Sequence, residues 1–136
     1  MKNDLTFKKI KLKILTWSIE DSIDLFFIAA FVREFYGYKD LEIVKKTTLE
    51  IIERLLEEQV VKAGNLLKGN NFVVWNEQIN QIIIQIKLKW ESLQRKLHPQ
   101  EIVWFEITEK GRKECDYLNS LPELQSDAFY KDNKKS

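Results

Sequence analysis

Trp104-Phe105-Glu106-Ile107-Thr108-Glu109-Lys110-Gly111-Arg112 is the stretch whose reading decides the fold. Val103, Phe105 and Ile107 alternate with Ile102, Trp104 and Glu106, the period of two that a strand with one buried face requires. The alternation stops at Thr108, a residue type that caps helices by accepting a backbone hydrogen bond from the first turn. Gly111 falls in that first turn, where the missing Cβ lets the helix start lie close to a sheet. A strand over residues 101–108 is therefore predicted to run straight into a short helix through Cys115 and Leu118.

Upstream, Leu41, Val44, Thr48, Ile51, Ile52, Leu55 and Leu56 recur at helical steps and predict a long helix from Asp40 to Gln59. A turn near Lys46-Thr47-Thr48 would divide it into the two halves of a helix-turn-helix. Val60 to Leu67 and Phe72 to Trp75, joined by Lys68-Gly69-Asn70-Asn71, read as a hairpin. The segment from Asp24 to Tyr36 has little polar face and is expected to be the central helix, with Asp24 as cap and Gly37 as its left-handed terminator. Thr6 to Trp17 fits two patterns. Ile10, Leu12 and Ile14 alternate with lysines as in a strand, while Phe7, Ile10, Ile14, Leu15 and Trp17 share a helical face; helix is the preferred reading. Asn76 is expected to cap another helix reaching Lys96, with Ile79, Ile82, Ile83, Ile86, Trp90, Leu93 and Leu97 inward and His98-Pro99 as its stop.

This order of elements resembles the winged-helix (helix-turn-helix) superfamily. Thr48-Leu49-Glu50-Ile51-Ile52-Glu53-Arg54-Leu55-Leu56-Glu57-Glu58-Gln59-Val60-Val61-Lys62-Ala63-Gly64 looks like its third helix running into the first wing strand. Trp104 to Arg112 resembles the return strand of the wing, with the hydrophobic-Thr-x-x-Gly signature found in many bacterial winged-helix regulators. The likeness covers roughly residues 6–118, and the whole chain is similar to a group of small bacterial proteins that carry no assigned activity. It implies an α+β, mostly helical domain with a small antiparallel wing sheet. The helix at 76–96 is then an insertion between wing strands. The domain is expected over residues 1–121, followed by a flexible polar C-terminal tail over 122–136.

Composition narrows the function. With 136 residues, 44% hydrophobic and 12% aromatic, the chain is expected to form one domain with a dense core. It carries 22 basic and 21 acidic residues, a balance that does not favour phosphate-driven binding. The basic N-terminus lacks an apolar signal core, and the longest apolar run, Leu25 to Val32, is far short of the roughly 20 residues that span a bilayer. A cytoplasmic protein with no membrane partner is predicted.

No catalytic, cofactor-binding or metal-binding residue is predicted. His98 is the single histidine and reads as an exposed stop residue, while Cys115, the single cysteine, reads as part of the core. Gly69 lacks the lysine-serine pair of a phosphate-binding loop. Trp75 and Trp104 are expected on neighbouring strands, with Trp90 packed against them, although a surface tryptophan would also suit a protein partner.

The predicted third helix carries six acids against three bases over residues 40–59, and the apolar positions already claim its inner face. Its outward acids would repel phosphate. The preferred expectation is a non-catalytic protein-binding module of immunity or antitoxin type, offering Glu50, Glu53, Glu57 and Glu58 to a protein with a basic surface. The alternative is a DNA-binding transcriptional regulator, acting as a homodimer, that touches nucleic acid through Lys9, Lys11, Lys110, Arg112 and Lys113.

Overall fold

The computed structural model describes residues 4–125. It is an α+β fold in which five helices surround a four-stranded antiparallel sheet. In chain order the elements are α1 (Asp4–Ser18), β1 (Ile23–Asp24), α2 (Leu25–Tyr36), α3 (Leu41–Glu57), β2 (Val61–Leu67), β3 (Asn71–Val74), α4 (Ile79–Glu91), β4 (Trp104–Ile107) and α5 (Glu109–Asn119). The sheet order is β1-β4-β2-β3. β4 therefore lies between β1 and β2, with Ile23 opposite Phe105 and Ala63 opposite Phe105 on its other side. Among the described residues, no helix is long and apolar enough to cross a membrane.

The Trp104–Arg112 stretch folds as its pattern dictates. Val103, Phe105 and Ile107 are buried, and Trp104 and Glu106 are half-buried on the opposite face. Thr108 Oγ1 accepts from Gly111 N–H at 2.9 Å and donates to the Gln59 carbonyl at 2.6 Å, so one hydroxyl caps α5 and ties it to the end of α3. The strand is shorter than its alternation, because residues 101–103 leave the ladder: Ile102 has φ 72°, and Val103 N–H bonds to Glu101 O.

α1 is a helix, and it takes the central place expected of α2. Ile10 to Leu15 are all buried, and α1 packs on both α2 and α5. α2 has an open flank, with Phe27 40% exposed next to Trp17 at a ring separation of 6.3 Å. Its ends are as read from sequence: Asp24 accepts from Phe27 N–H, and Gly37 closes the helix at φ 71°.

α3 runs unbroken through Lys46-Thr47-Thr48. Thr48 is buried and its hydroxyl donates to the Val44 carbonyl at 2.6 Å, satisfying itself within the helix rather than bending the chain. The turn between successive helices lies earlier, at residues 37–40, where Gly37 is left-handed and Asp40 caps α3. α4 also differs from its periodicity. It starts at Ile79 rather than beside Asn76, and ends at Glu91, where Ser92 Oγ donates to the Lys89 carbonyl. Leu93 and Leu97 still reach the core, but from an irregular segment. The ordered fold extends past residue 121 as well. Pro122–Leu124 form a 3-10 turn, Leu124 is 1% exposed, and Lys8 pairs with Glu123. Residues 126–136, the remainder of the expected tail, lie outside the described residues.

Trp75 and Trp104 do not lie on neighbouring strands as expected. β2 separates Trp104, which stands opposite Gly64, from Trp75, whose N–H bonds to Ala63 O. Trp75 and Trp90 are buried, and the ammonium groups of Lys89 and Lys45 lie 5.1 and 6.0 Å from their respective ring centres.

Candidate functional site

Helix α4 packs alongside α3, and the two enclose an open groove of about 420 Å3. Its floor is Leu49 and Ile83 with the buried Trp90. Glu50 and Glu53 stand on its α3 wall, where the helical repeat that buries Ile51, Ile52 and Leu55 turns them outward. Glu57 is exposed one turn further on. None of these three forms an ion pair among the described residues. The groove is not purely acidic, because Lys45, Lys46 and Lys87 also line it, with Lys45 3.5 Å from Glu42.

Glu58 departs from this face. Its carboxylate accepts from Lys11 at 2.8 Å and lies 3.5 Å from Arg54, so it faces the inner helices and not a partner. Tyr36, at the end of α2, has a buried hydroxyl with no partner among the described residues. Burial, reinforced by Tyr38, pushes its pKa up to about 12.

The basic residues fare differently from one another. Lys11 is 6% exposed and clasped between Glu58 and Glu114 at 2.8 and 2.7 Å, which removes it from any nucleic-acid surface. Lys13 is equally sequestered by Glu34 and lies over Phe31 and Phe35. Lys9 is half-buried. Lys110, Arg112 and Lys113 are exposed on the first turns of α5. Arg112 donates to the Ile19 carbonyl and shares a cavity of about 480 Å3 with Glu20, Asp21 and Glu106, a setting that disfavours phosphate.

Cys115 is buried 3.7 Å from Thr16 Oγ1, and burial pushes its thiol pKa up, away from the reactive thiolate. His98 is exposed in the segment after α4, where its backbone N–H donates to Glu101. Comparison of the chain with protein-family models, with curated proteins and with solved structures gives no match.

Proposed function

We propose that the protein is a non-catalytic protein-binding module on a winged-helix scaffold, and that it receives a basic protein partner along the α3/α4 groove. The scaffold reading is supported by three helices leading into a sheet whose β1-β4-β2 core brings a late strand back beside an early one. β3 and α4 are then additions within the wing. The observation that carries the binding reading is the set Glu50, Glu53 and Glu57, unpaired among the described residues: Glu50 and Glu53 line the apolar floor, and Glu57 is exposed one turn beyond them. An apolar centre whose α3 rim carries carboxylates without ion-pair partners suits a partner that brings basic groups to that rim, with Lys45, Lys46 and Lys87 placed to meet acids beside them. An immunity-type or antitoxin-type role, in which the partner is a nuclease with a basic active-site surface, fits this arrangement.

The packing of α4 argues against reading DNA through α3. A single helix about 10–12 Å wide fills a major groove of about 12 Å. Two helices packed roughly 8–10 Å apart are too broad to enter it. A regulator would have to use the β2–β3 hairpin, whose charges, Lys62 and Lys68, are both basic, together with Lys110 and Lys113. That reading expects duplex binding that falls steeply with salt and disappears on reversing Lys110, Arg112 and Lys113.

The deciding experiment is affinity capture from a lysate of the source organism, nuclease-treated and untreated, with wild type and an E50K/E53K/E57K variant. A protein retained by wild type after nuclease treatment and lost by the variant supports the module. Retention unchanged by the charge reversal removes the acidic face from the reading. DNA recovered only from the untreated half favours the regulator.

A further inference from the structure

We infer that the cavity between α2, the start of α3 and the segment following α4 binds a small organic anion with an apolar body. The cavity holds about 450 Å3, within the roughly 300–1,000 Å3 of small-molecule sites. Its floor is apolar, formed by Phe26, Ala29, Leu41, Trp90 and Leu97. Every charged residue lining it is basic: Arg33, Lys39, Lys45, Arg95 and Lys96. On a chain of net charge +1, five cations around one cavity without an acid is a local excess that the sequence average does not supply.

Two of those cations are already engaged. Arg95 makes a two-pronged contact with Glu101 at 2.9 and 2.6 Å, and Lys45 lies 3.5 Å from Glu42. Arg33, Lys39 and Lys96 are exposed and form no ion pair among the described residues. They come from three separate segments, so nothing in their own helical repeats requires them to converge. Convergent cations over an apolar floor complement one negative headgroup attached to a hydrocarbon or aryl body.

A second observation concerns how the wall is held. The segment bearing Arg95, Lys96 and Leu97 returns through Gln100 and Ile102, which sit at φ 68° and 72°. This is the left-handed region, which a β-branched residue such as isoleucine rarely occupies. Strain of this kind persists where surrounding contacts over-determine it, and it concentrates at ligand sites. Here the contacts are explicit. Glu101 receives Arg95 and the His98 N–H, and the buried Asp24 receives Gln100 N–H at 2.7 Å while also capping α2. The wall is thus fixed to the helix on the far side of the cavity before any ligand arrives, which reduces the ordering cost of binding.

The test is calorimetric titration of the full chain with monomeric dodecanoate, dodecyl phosphate and the neutral dodecanol, alongside R33E/K96E and K110E/K113E variants. Circular dichroism establishes that each variant is folded, and the change in tryptophan emission lost on Trp90→Phe provides a second readout at the cavity floor. Saturable 1:1 binding of either anion is expected, with dodecanol at least 10-fold weaker. R33E/K96E is expected to lose at least 10-fold and K110E/K113E to bind as wild type. The carboxylate-to-phosphate ratio then identifies the preferred headgroup. If R33E/K96E fails to fold, R33Q/K96Q replaces it, with the same loss expected. No binding of either anion, equal affinity for dodecanol, or affinity unchanged by loss of the Arg33 and Lys96 charges would overturn the inference.

Discussion

A methyl group on residue 111 would collide with the Val60 carbonyl oxygen and stand 2.8 Å from Ile107 Cγ1. The Val60 carbonyl is backbone, held by Thr108 N–H, so it cannot rotate aside. Gly111→Ala is therefore expected to destabilise the fold by about 1–3 kcal/mol, measured as a lower urea midpoint. This close approach was legible in the sequence, because Thr108 and Gly111 carry their meaning within four neighbouring residues. Lys11 was not. A lysine counts as surface by type, and its partners Glu58 and Glu114 lie far along the chain, so no local window reveals that three elements enclose it. Its two carboxylates remain about a third exposed, so Lys11→Met is expected to cost no more than about 1 kcal/mol. Lys11→Glu, which would place three carboxylates together, is expected to cost about 3–5 kcal/mol. Equal losses in chemical denaturation would mean that the lysine acts through packing alone.

Among the elements, the segment from Ser92 to Val103 departs furthest from its sequence pattern. Leu93 and Leu97 continue the spacing of α4, yet the backbone has already left the helix, because inward leucines can be presented from an irregular path as well as a helical one. The pull of Arg95 towards Glu101 and the brace at Asp24 depend on tertiary approach, and isoleucine is among the last residues a pattern would assign to a left-handed position. The cavity beside this segment was equally hidden, since Arg33, Lys39 and Lys96 meet only after folding. Arg95 and the His98 N–H hold the Glu101 carboxyl at about 2, below an ordinary 4.5. A depressed carboxylate contributes stability above its unfolded pKa, and that contribution disappears as pH falls through the folded value. Acid loosening of this segment is expected between about pH 4.5 and 2. Hydrogen exchange at His98 N–H should report it, and Glu101→Gln should remove the pH dependence. Protection that is constant across this range in wild type would count against the brace.

At the scale of the molecule, helix order and the hairpin followed from periodicity and the α+β class from the resemblance, but which helix lies at the centre followed from neither. α2 is the more apolar segment and α1 the more enclosed, because the lysines of α1 find acids inside the fold while Phe27 of α2 stays at the surface. The Pro122–Leu124 turn is part of this enclosure. Leu124 is 1% exposed, so Leu124→Ala is expected to cost about 2–4 kcal/mol, seen as a cooperative fall in thermal midpoint. A change within error would place the boundary of the folded domain before residue 122.

The position of β4 bears on how the chain is made. β1 has β4 as its ladder partner, and β4 is the second strand of its sheet in space but the last in sequence. A ribosome that has released only residues 1–97 has delivered α1 to α4 and the β2–β3 hairpin, yet β1 has no strand to pair with and β2 has one edge bare. The sheet is completed only by Trp104–Ile107, and long-range pairing of this kind is expected to form late and to leave apolar surface exposed meanwhile. A pause in translation just before those four residues is expected to leave β1 and the open edge of β2 without their shared partner.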